Sequence, residues 1–323
     1  MTTLVMVCKI VFPAMRERKE IVIHRCASIE FESTFKEMTS RGTLTLPRNI
    51  KFFDKYKIRD VFHRGDPIEI SFGYNNNMTE EFKGYIATVS ADIPISIEFE
   101  DEMFKVRNLP VNFSARQITL KALLEKIAPG YKVDADEIQL GSVRLAKTTV
   151  GAVIEKLQQD WNFFTYMKGK TLISGKYYSL KSDEKPFKFH LERNCVSTAL
   201  NYKRKEDVLI IFRYNSTDRF GKKIEVEFGD KDYNVEVSRN YQNIKVRAEL
   251  ELLARSDYKK AKVDRFDGSF TAFGLPSVEH GKKVELKSGL YPDRDGVYYI
   301  EKVMKTFDVG GIRQQITLGE KTA

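Results

Sequence analysis

Cysteine is scarce in this sequence, and what there is does not pair. Cys8, Cys26 and Cys195 are the three cysteines in 323 residues, and no two are spaced as Cys-x-x-Cys. A disulfide framework and a thiolate zinc cluster are therefore not spelled out, and folding in a reducing cytoplasm fits. His24 stands two residues before Cys26, but without a second ligand pair these make too few donors for a metal. The expected role of the thiols is burial as small apolar groups. Histidine is also rare, and His24, His63, His190 and His280 show no Ser/Asp partner pattern. There is no nucleophile elbow, phosphate-binding loop, dinucleotide fingerprint, His-Glu-x-x-His or calcium loop, so no cofactor is implied. The single tryptophan, Trp161, falls on a helical apolar stripe and reads as core. No apolar run approaches the ~20 residues of a membrane-spanning helix, so membrane insertion is not expected. The run Leu4–Val11 is short, is broken by Lys9 and lacks a basic lead-in. It reads as a first strand rather than a signal peptide.

What the chain has in quantity is charge and aromatic residues. Charged residues are 31% and hydrophobic residues 42%, with 22 Phe and 15 Tyr, the balance of a globular chain rich in half-buried strands. The 54 basic residues exceed the 45 acidic ones, giving a formal charge of +9. A polyanionic partner is one reading of that excess. The densest basic stretch holds Lys203, Arg204, Lys205, Lys222 and Lys223, but Glu206 and Asp207 interrupt it, so a solvated face is the other.

Alternation of apolar and polar residues marks strands at 21–23, 29–32, 42–46, 68–72, 86–89 and 95–99, with a hairpin tip at Gly73–Asn77. The pattern then changes to helix. Thr119 opens Leu120-Lys-Ala-Leu-Leu-Glu-Lys-Ile127, and Thr149 opens Val150-Gly-Ala-Val-Ile-Glu-Lys-Leu157. Both are amphipathic with Thr as the N-cap, and their near-identical wording is either a small duplication or convergence. A hairpin turning at Lys168-Gly169 follows, and 181–186 reads as a polar exit loop. Strands resume at 187–191, 208–212, 223–228, 233–237 and 312–318. One helix runs from 246 to about 260, with Leu250, Leu253 and Ala254 on its apolar face.

Two hairpins far apart in the chain share their wording. Gly65-Asp-Pro-Ile-Glu-Ile70 followed by Tyr85-Ile86 matches Gly281-Lys-Lys-Val-Glu-Leu286 followed by Tyr299-Ile300. The two differ in internal spacing by an even number of residues, which leaves each apolar set on the same side of its sheet. A chain that builds a similar β-unit twice suits a ring- or tube-forming subunit. The acidic cluster Glu98, Glu100, Asp101 and Glu102 is the place a glycan-hydrolysing carboxylate pair would sit. At a strand end, however, alternate carboxylates point to opposite faces.

Several segments carry a family resemblance: Phe82-Lys-Gly-Tyr-Ile86, Ile93-Pro-Ile-Ser-Ile97, Glu100-Asp-Glu-Met-Phe104, Asp267-Gly-Ser-Phe-Thr-Ala-Phe-Gly-Leu-Pro276, His280-Gly281, Tyr291-Pro292 and Gly311-Ile-Arg313. Together they resemble baseplate hub proteins of contractile-tailed phages, the late control protein D family, which is similar to the hub part of type VI secretion spike proteins. The resemblance implies a mainly β fold with an α/β insert: two similar antiparallel β-barrel tube domains plus a two-helix α/β domain. Its boundaries would be 1–102 with 187–205, 103–186 for the insert, and 206–323 with one packed helix. It implies a non-enzymatic homotrimer, a pseudo-sixfold ring between the hexameric tail tube and the trimeric tail spike protein. Such a subunit is made in the bacterial host cytoplasm and resides in the virion tail baseplate of a phage or prophage. DNA would pass through the lumen, with Lys203, Arg204, Lys205, Lys222 and Lys223 as lumen-facing candidates. A glycan-binding or glycan-hydrolysing tail protein is the alternative, in which 103–186 binds cell wall.

Overall fold

A computed structural model describes residues 4–47, 61–75, 77–90, 94–176, 185–217, 222–242, 244, 246–292 and 295–322. The exit loop expected at 181–186 lies largely outside them. The alternating N-terminal segments form β1 (Met6–Phe12), β2 (Ile21–Ile23), β3 (Ser28–Thr34), β4 (Arg41–Leu46), β5 (Pro67–Tyr74), β6 (Asn77–Val89) and β7 (Ile95–Glu100). The next stretch holds α1 (Met103–Val106), β8 (Pro110–Thr119), α2 (Leu120–Ile127), β9 (Lys132–Ala135), β10 (Gln139–Thr149), α3 (Val150–Trp161), β11 (Phe163–Lys168) and β12 (Thr171–Lys176). The remainder comprises β13 (Phe187–His190), β14 (Cys195–Lys203), β15 (Ile210–Thr217), β16 (Lys223–Gly229), β17 (Val235–Gln242), α4 (Arg247–Ala261), β18 (Arg265–Phe273), β19 (Lys283–Lys287), β20 (Gly296–Asp308) and β21 (Gly311–Lys321). The chain is thus mainly β, with sheets that are largely antiparallel. Among the described residues no helix is long and apolar enough to cross a membrane.

One sheet of 13 strands runs β14-β18-β21-β20-β3-β4-β7-β6-β5-β1-β2, with β19 beside β20 and β13 beside β19. Within it the order β3-β4-β7-β6 is repeated as β14-β18-β21-β20, and the strands of each set occur in the same chain order. The hairpins that share wording share geometry. In the first, the Gly65 N–H donates to the Ile86 carbonyl at 2.8 Å and the Ile86 N–H to the Asp66 carbonyl at 2.9 Å. In the second, Gly281 donates to Ile300 at 2.8 Å and Ile300 to Lys282 at 2.8 Å. Both glycines sit at positive φ, +86° and +79°, a conformation that L side chains rarely adopt. Pro67 faces Tyr85 as Lys283 faces Tyr299. Each long strand then bulges at the equivalent place: the register of β6 against β7 shifts between Ile86 and Thr88, and that of β20 against β21 between Ile300 and Lys302. The correspondence therefore holds residue by residue.

Strand partners differ from the expected grouping at two places. Residues 187–203 pair with the C-terminal half, β13 with β19 and β14 with β18, rather than with the first unit. In addition, β15, β16 and β17 form a separate sheet, covered by α4, with a core of Ile210, Phe212, Tyr214, Val226, Leu250 and Ala254. That piece intervenes between β14 and β18, the counterparts of β3 and β4. On α4 the expected Leu253 is 37% exposed, and Leu250 and Ala254 alone of the three face the sheet.

The helical wording behaves as the caps require. Thr119 and Thr149 Oγ1 accept from the Ala122 and Ala152 N–H groups at 3.2 and 3.3 Å. Each Thr ends a strand, and the two strands pair antiparallel so that Thr119 faces Gln139 and Thr149 faces Pro110. The strand–helix–strand order β8-α2-β9 therefore recurs as β10-α3-β11, with the two leading strands antiparallel. Trp161 ends α3 and stacks on Phe163 at 6.0 Å, part of the core that these helices share.

The two units meet at a buried polar knot. Lys305 on β20 forms an ion pair with Glu81 on β6, with the two side chains only 7% and 4% exposed. Lys305 Nζ also donates to Ser277 Oγ at 2.7 Å, which in turn donates to Glu81 at 3.0 Å. Gln314 holds the same loop, donating to the Phe273 and Pro276 carbonyls at 2.9 and 2.6 Å. Removing one member strands the other charge in the interior. Lys305→Met is expected to cost about 3–5 kcal/mol in urea unfolding. Adding Glu81→Leu is expected to recover more than half of that loss, a double-mutant coupling that a surface pair does not show.

Candidate assembly edges and a polar sheet face

Period-two alternation gives the eight strands β14-β18-β21-β20-β3-β4-β7-β6 one apolar and one polar face. Ile29, Phe31, Leu44, Ile97, Phe99, Phe270, Val303 and Ile316 are buried on the first. The second carries hydroxyls, amides and paired charges: Thr43, Thr45, Thr271 and Thr317 are half-buried, and Gln315 Nε2 donates to Ser269 Oγ at 3.1 Å. Lys302 pairs with Glu32 at 2.6 Å and Lys203 with Asp267 at 2.5 Å. Such a face has wettable groups, and its lysines Lys302 and Lys203 are paired with carboxylates.

The edges of this eight-strand run are bare in complementary places. β3 is covered on its outer side by β20, with Lys302 opposite Thr34 and Val303 opposite Ser33. Its counterpart β14 has β18 as its one strand partner among the described residues. β14 is exposed almost throughout, with Val196 49% and Tyr202 46% accessible. At the other end, β6 beyond Tyr85 is paired by β7 alone, whereas the equivalent part of β20 is paired on both sides. The junction that β20 makes with β3 inside the chain is thus left open once at each end.

The five basic residues do not form one cluster. Lys203 lies at the end of β14 on the polar face, paired with Asp267. Arg204 and Lys205 follow it and are exposed, and the Lys205 N–H donates to Asp264 Oδ1 at 2.7 Å. Lys222 and Lys223 stand at the start of β16 in the separate three-stranded sheet.

The acidic cluster is split up by its partners. Glu98 is exposed, Glu100 pairs with Arg107 at 2.8 Å, and Glu102 accepts from the Tyr85 and Tyr131 hydroxyls at 2.8 and 2.9 Å. Asp101 turns inward, accepting from the Ser40 and Met103 N–H groups at 2.8 and 3.0 Å. Burial pushes its carboxyl up to about 7, against the pull of those donors. Glu100, Asp101 and Glu102 are thus engaged in holding the end of β7 and α1 against their neighbours, while Glu98 faces solvent. Cys8 and Cys26 touch, Sγ to Sγ, at 3.8 Å, and His24 Nδ1 lies 3.3 Å from the Cys8 carbonyl rather than on sulfur. No three potential metal ligands gather among the described residues.

His280 is a half-buried group, with both ring nitrogens shielded from solvent, that the sequence did not single out. Its ring meets Tyr166 edge-on at 4.7 Å, and neither ring nitrogen has a partner. The Lys168–Glu279 ion pair at 3.5 Å flanks it. Burial drives its pKa down from 6.5 to about 4. Between those values the unfolded chain binds a proton that the folded chain refuses, so this residue removes stability as pH falls, up to about 3 kcal/mol. Asp101, raised from 3.8 to about 7, acts oppositely: its folded form holds a proton that the unfolded form has lost, which adds stability as pH falls. The two offset each other. His280→Phe is expected to gain on the unsubstituted protein progressively between pH 6.5 and 4.5, read as diverging urea midpoints. Parallel midpoints across that range would show that His280 titrates normally.

No family model and no curated protein matches this sequence. Solved structures do. A tail protein from Neisseria meningitidis MC58 aligns with TM-score 0.67 at 11% identity over 98% of this chain and 96% of its own. The 43 kDa tail protein of prophage MuSo2 from Shewanella oneidensis aligns with TM-score 0.61 at 12% identity, covering 98% and 97%. The E. coli c3393 protein, a type VI secretion component described as structurally similar to T4 tail proteins gp27 and gp5, aligns with TM-score 0.55 at 10% identity, covering 92% and 74%. At such identities the likeness is one of fold, and it extends over nearly the whole chain. This chain has the fold of phage and prophage tail proteins and of a type VI secretion component, the fold to which its sequence motifs pointed.

Proposed function

We propose that this chain is a structural hub subunit of a contractile-tail baseplate. Three copies close into a pseudo-sixfold ring that fits a hexameric tail tube on one side and a trimeric spike on the other. The observation that carries this reading is the repeated order β3-β4-β7-β6 and β14-β18-β21-β20, joined internally through β20 and β3. Two equivalent four-strand units per chain give six in a trimer, which reconciles threefold with sixfold symmetry by duplication. Unpaired strand edges invite further pairing, and each copy has one of each kind to offer its neighbour. The fold shared with tail proteins agrees, and the role needs no catalytic residue.

The register of the joint follows from the repeat. Thr88 and Val89 correspond to Lys302 and Val303, while Lys203 and Tyr202 correspond to Thr34 and Ser33. Thr88 of one copy therefore faces Lys203 of the next, and Val89 faces Tyr202. The polar face would then line the lumen. Because its lysines are paired with carboxylates, it offers passing DNA a wettable wall without the counterion-releasing phosphate contacts that would hold it. Lys203 is the basic candidate that this placement puts on the lumen wall, beside the joint.

The register is directly testable by engineered cross-linking. With the three native cysteines replaced by serine, Val89→Cys with Tyr202→Cys is expected to give covalent oligomers that stop at the trimer under mild oxidation. Val89→Cys alone should give dimers at most, and Val89→Cys with Asn201→Cys a markedly weaker ladder. A double variant that stays monomeric at high protein concentration, alone and with spike protein added, would overturn the ring.

A further inference from the structure

The described residues contain one pair of touching free thiols that the assembly reading does not use. Cys8 lies on β1, buried in the first core, and Cys26 follows β2, half-buried against the same core. Their sulfurs are 3.8 Å apart and share a hydrogen bond. That contact draws the Cys8 thiol toward ionisation and holds the proton on Cys26. A thiolate poised against a second thiol is the arrangement from which disulfides form. Metal binding is the weaker use of the pair, because His24 is turned to a carbonyl and no third ligand joins the sulfurs among the described residues.

We propose that Cys8 and Cys26 are a latent disulfide that closes when the protein meets a small disulfide oxidant. In the first step a thiolate of the pair attacks one sulfur of the oxidant, releasing one small thiolate and leaving a mixed disulfide. The second protein thiol gives up its proton and attacks the protein sulfur of that adduct. The protein S–S bond forms and a second small thiolate leaves. Two protein thiols are oxidised and one oxidant disulfide is reduced to two thiols, so atoms and electrons balance. Cys195 has no part in this. It stands on β14, and burial pushes its thiol up to about 12, which makes it a poor nucleophile at neutral pH.

The place of the bond gives it a consequence. β2 is a three-residue strand at the end of the large sheet, held to β1 by the pairs Ile10–Ile23, Val11–Val22 and Phe12–Ile21. A bond from Cys8 to Cys26 closes the loop around that short pairing and fixes the end of the sheet. On the hub reading, on which this timing rests, the chain folds with both thiols reduced in the host and acquires the bond after the particle leaves it. The bond itself depends only on the two sulfurs.

The experiment uses the purified full chain and glutathione disulfide at neutral pH without denaturant, followed by acid quench, alkylation in denaturant and mass analysis. Two of the three thiols are expected to resist alkylation, with a mass about 2 Da below the reduced chain. Trypsin should release residues 1–9 joined to residues 26–36, with Cys195 alkylated. The oxidised chain should melt several degrees above the reduced one, a difference that Cys26→Ser abolishes. Three alkylated thiols after prolonged exposure, or a stable glutathione adduct on either cysteine of the folded chain, would overturn the proposal. None of these readouts requires a ring, so they stand or fall apart from the 89–202 cross-link.

Discussion

Strand β20 serves three neighbours where an interior strand ordinarily serves two. Along one side it pairs with β21 for almost its whole length; along the other it pairs first with β19 and then with β3. The change of partner occurs at Glu301, where the register against β21 slips by one residue. A bulge of this kind bends and twists a strand, which is what lets one strand leave its own unit and enter the next. Lys36 Nζ reaches Glu301 at 2.7 Å and ties the bulge to the segment after β3. The buried Lys305–Glu81 pair then fixes the far half of β20 against β6. The large sheet is continuous because of this strand, and the separate cores of the two units touch through the hairpin it forms, whose tip residues Phe307 and Ile312 pack in the first core.

The same device without its partner explains the bare edge of the first unit. β6 bulges between Ile86 and Thr88 as β20 does between Ile300 and Lys302, yet among the described residues no strand but β7 pairs with its far end. Close approach there is built in: a Cβ on Gly84 would stand 2.0 Å from the Glu100 carbonyl oxygen, so glycine is what lets β6 and β7 run together into the bulge. β14 shows the opposite deficit. It has the register of β3 but not the cover, and the intervening β15–β17 sheet, which could have supplied a strand, instead encloses its own core with α4. A nine-residue strand open along one edge and exposed on most positions is poorly accounted for by monomer stability, and a second chain is the simplest cover.

How much of this could be read from the residues follows from the range of each signal. Capping and helical periodicity are local, and Thr119 and Thr149 behave as their positions demand. The two hairpins were legible because Gly65 and Gly281 mark the same left-handed turn, and because even spacing keeps faces aligned. What the sequence could not supply was long-range pairing. The segment 187–203 has strand wording compatible with either unit, and only its registers with β18 and β19 assign it to the second. His280 was missed for a similar reason. Nothing near it in sequence signals burial, which comes from Tyr166 more than a hundred residues away. The basic residues are neighbours in sequence only: Lys203 ends a strand of the large sheet and Lys223 begins one of the separate sheet.

Duplication alone would make the two units interchangeable and the ring sixfold throughout. What breaks the equivalence is where the additional pieces leave the sheet. The α/β piece departs after β7, at the end of the first unit, while the β15–β17 piece with α4 departs between the first two strands of the second. Both carry their own cores, so each can grow or change without disturbing the registers of the strands that repeat. In the proposed ring the repeated strands meet at near-equivalent joints, half of them within chains and half between, and these set a sixfold wall. The unlike pieces fall at alternate positions and give the outside of the same ring threefold order. The mismatch between a hexameric and a trimeric neighbour is then absorbed within one chain, because side-chain alternation and strand register are kept in both units while loop insertions are not.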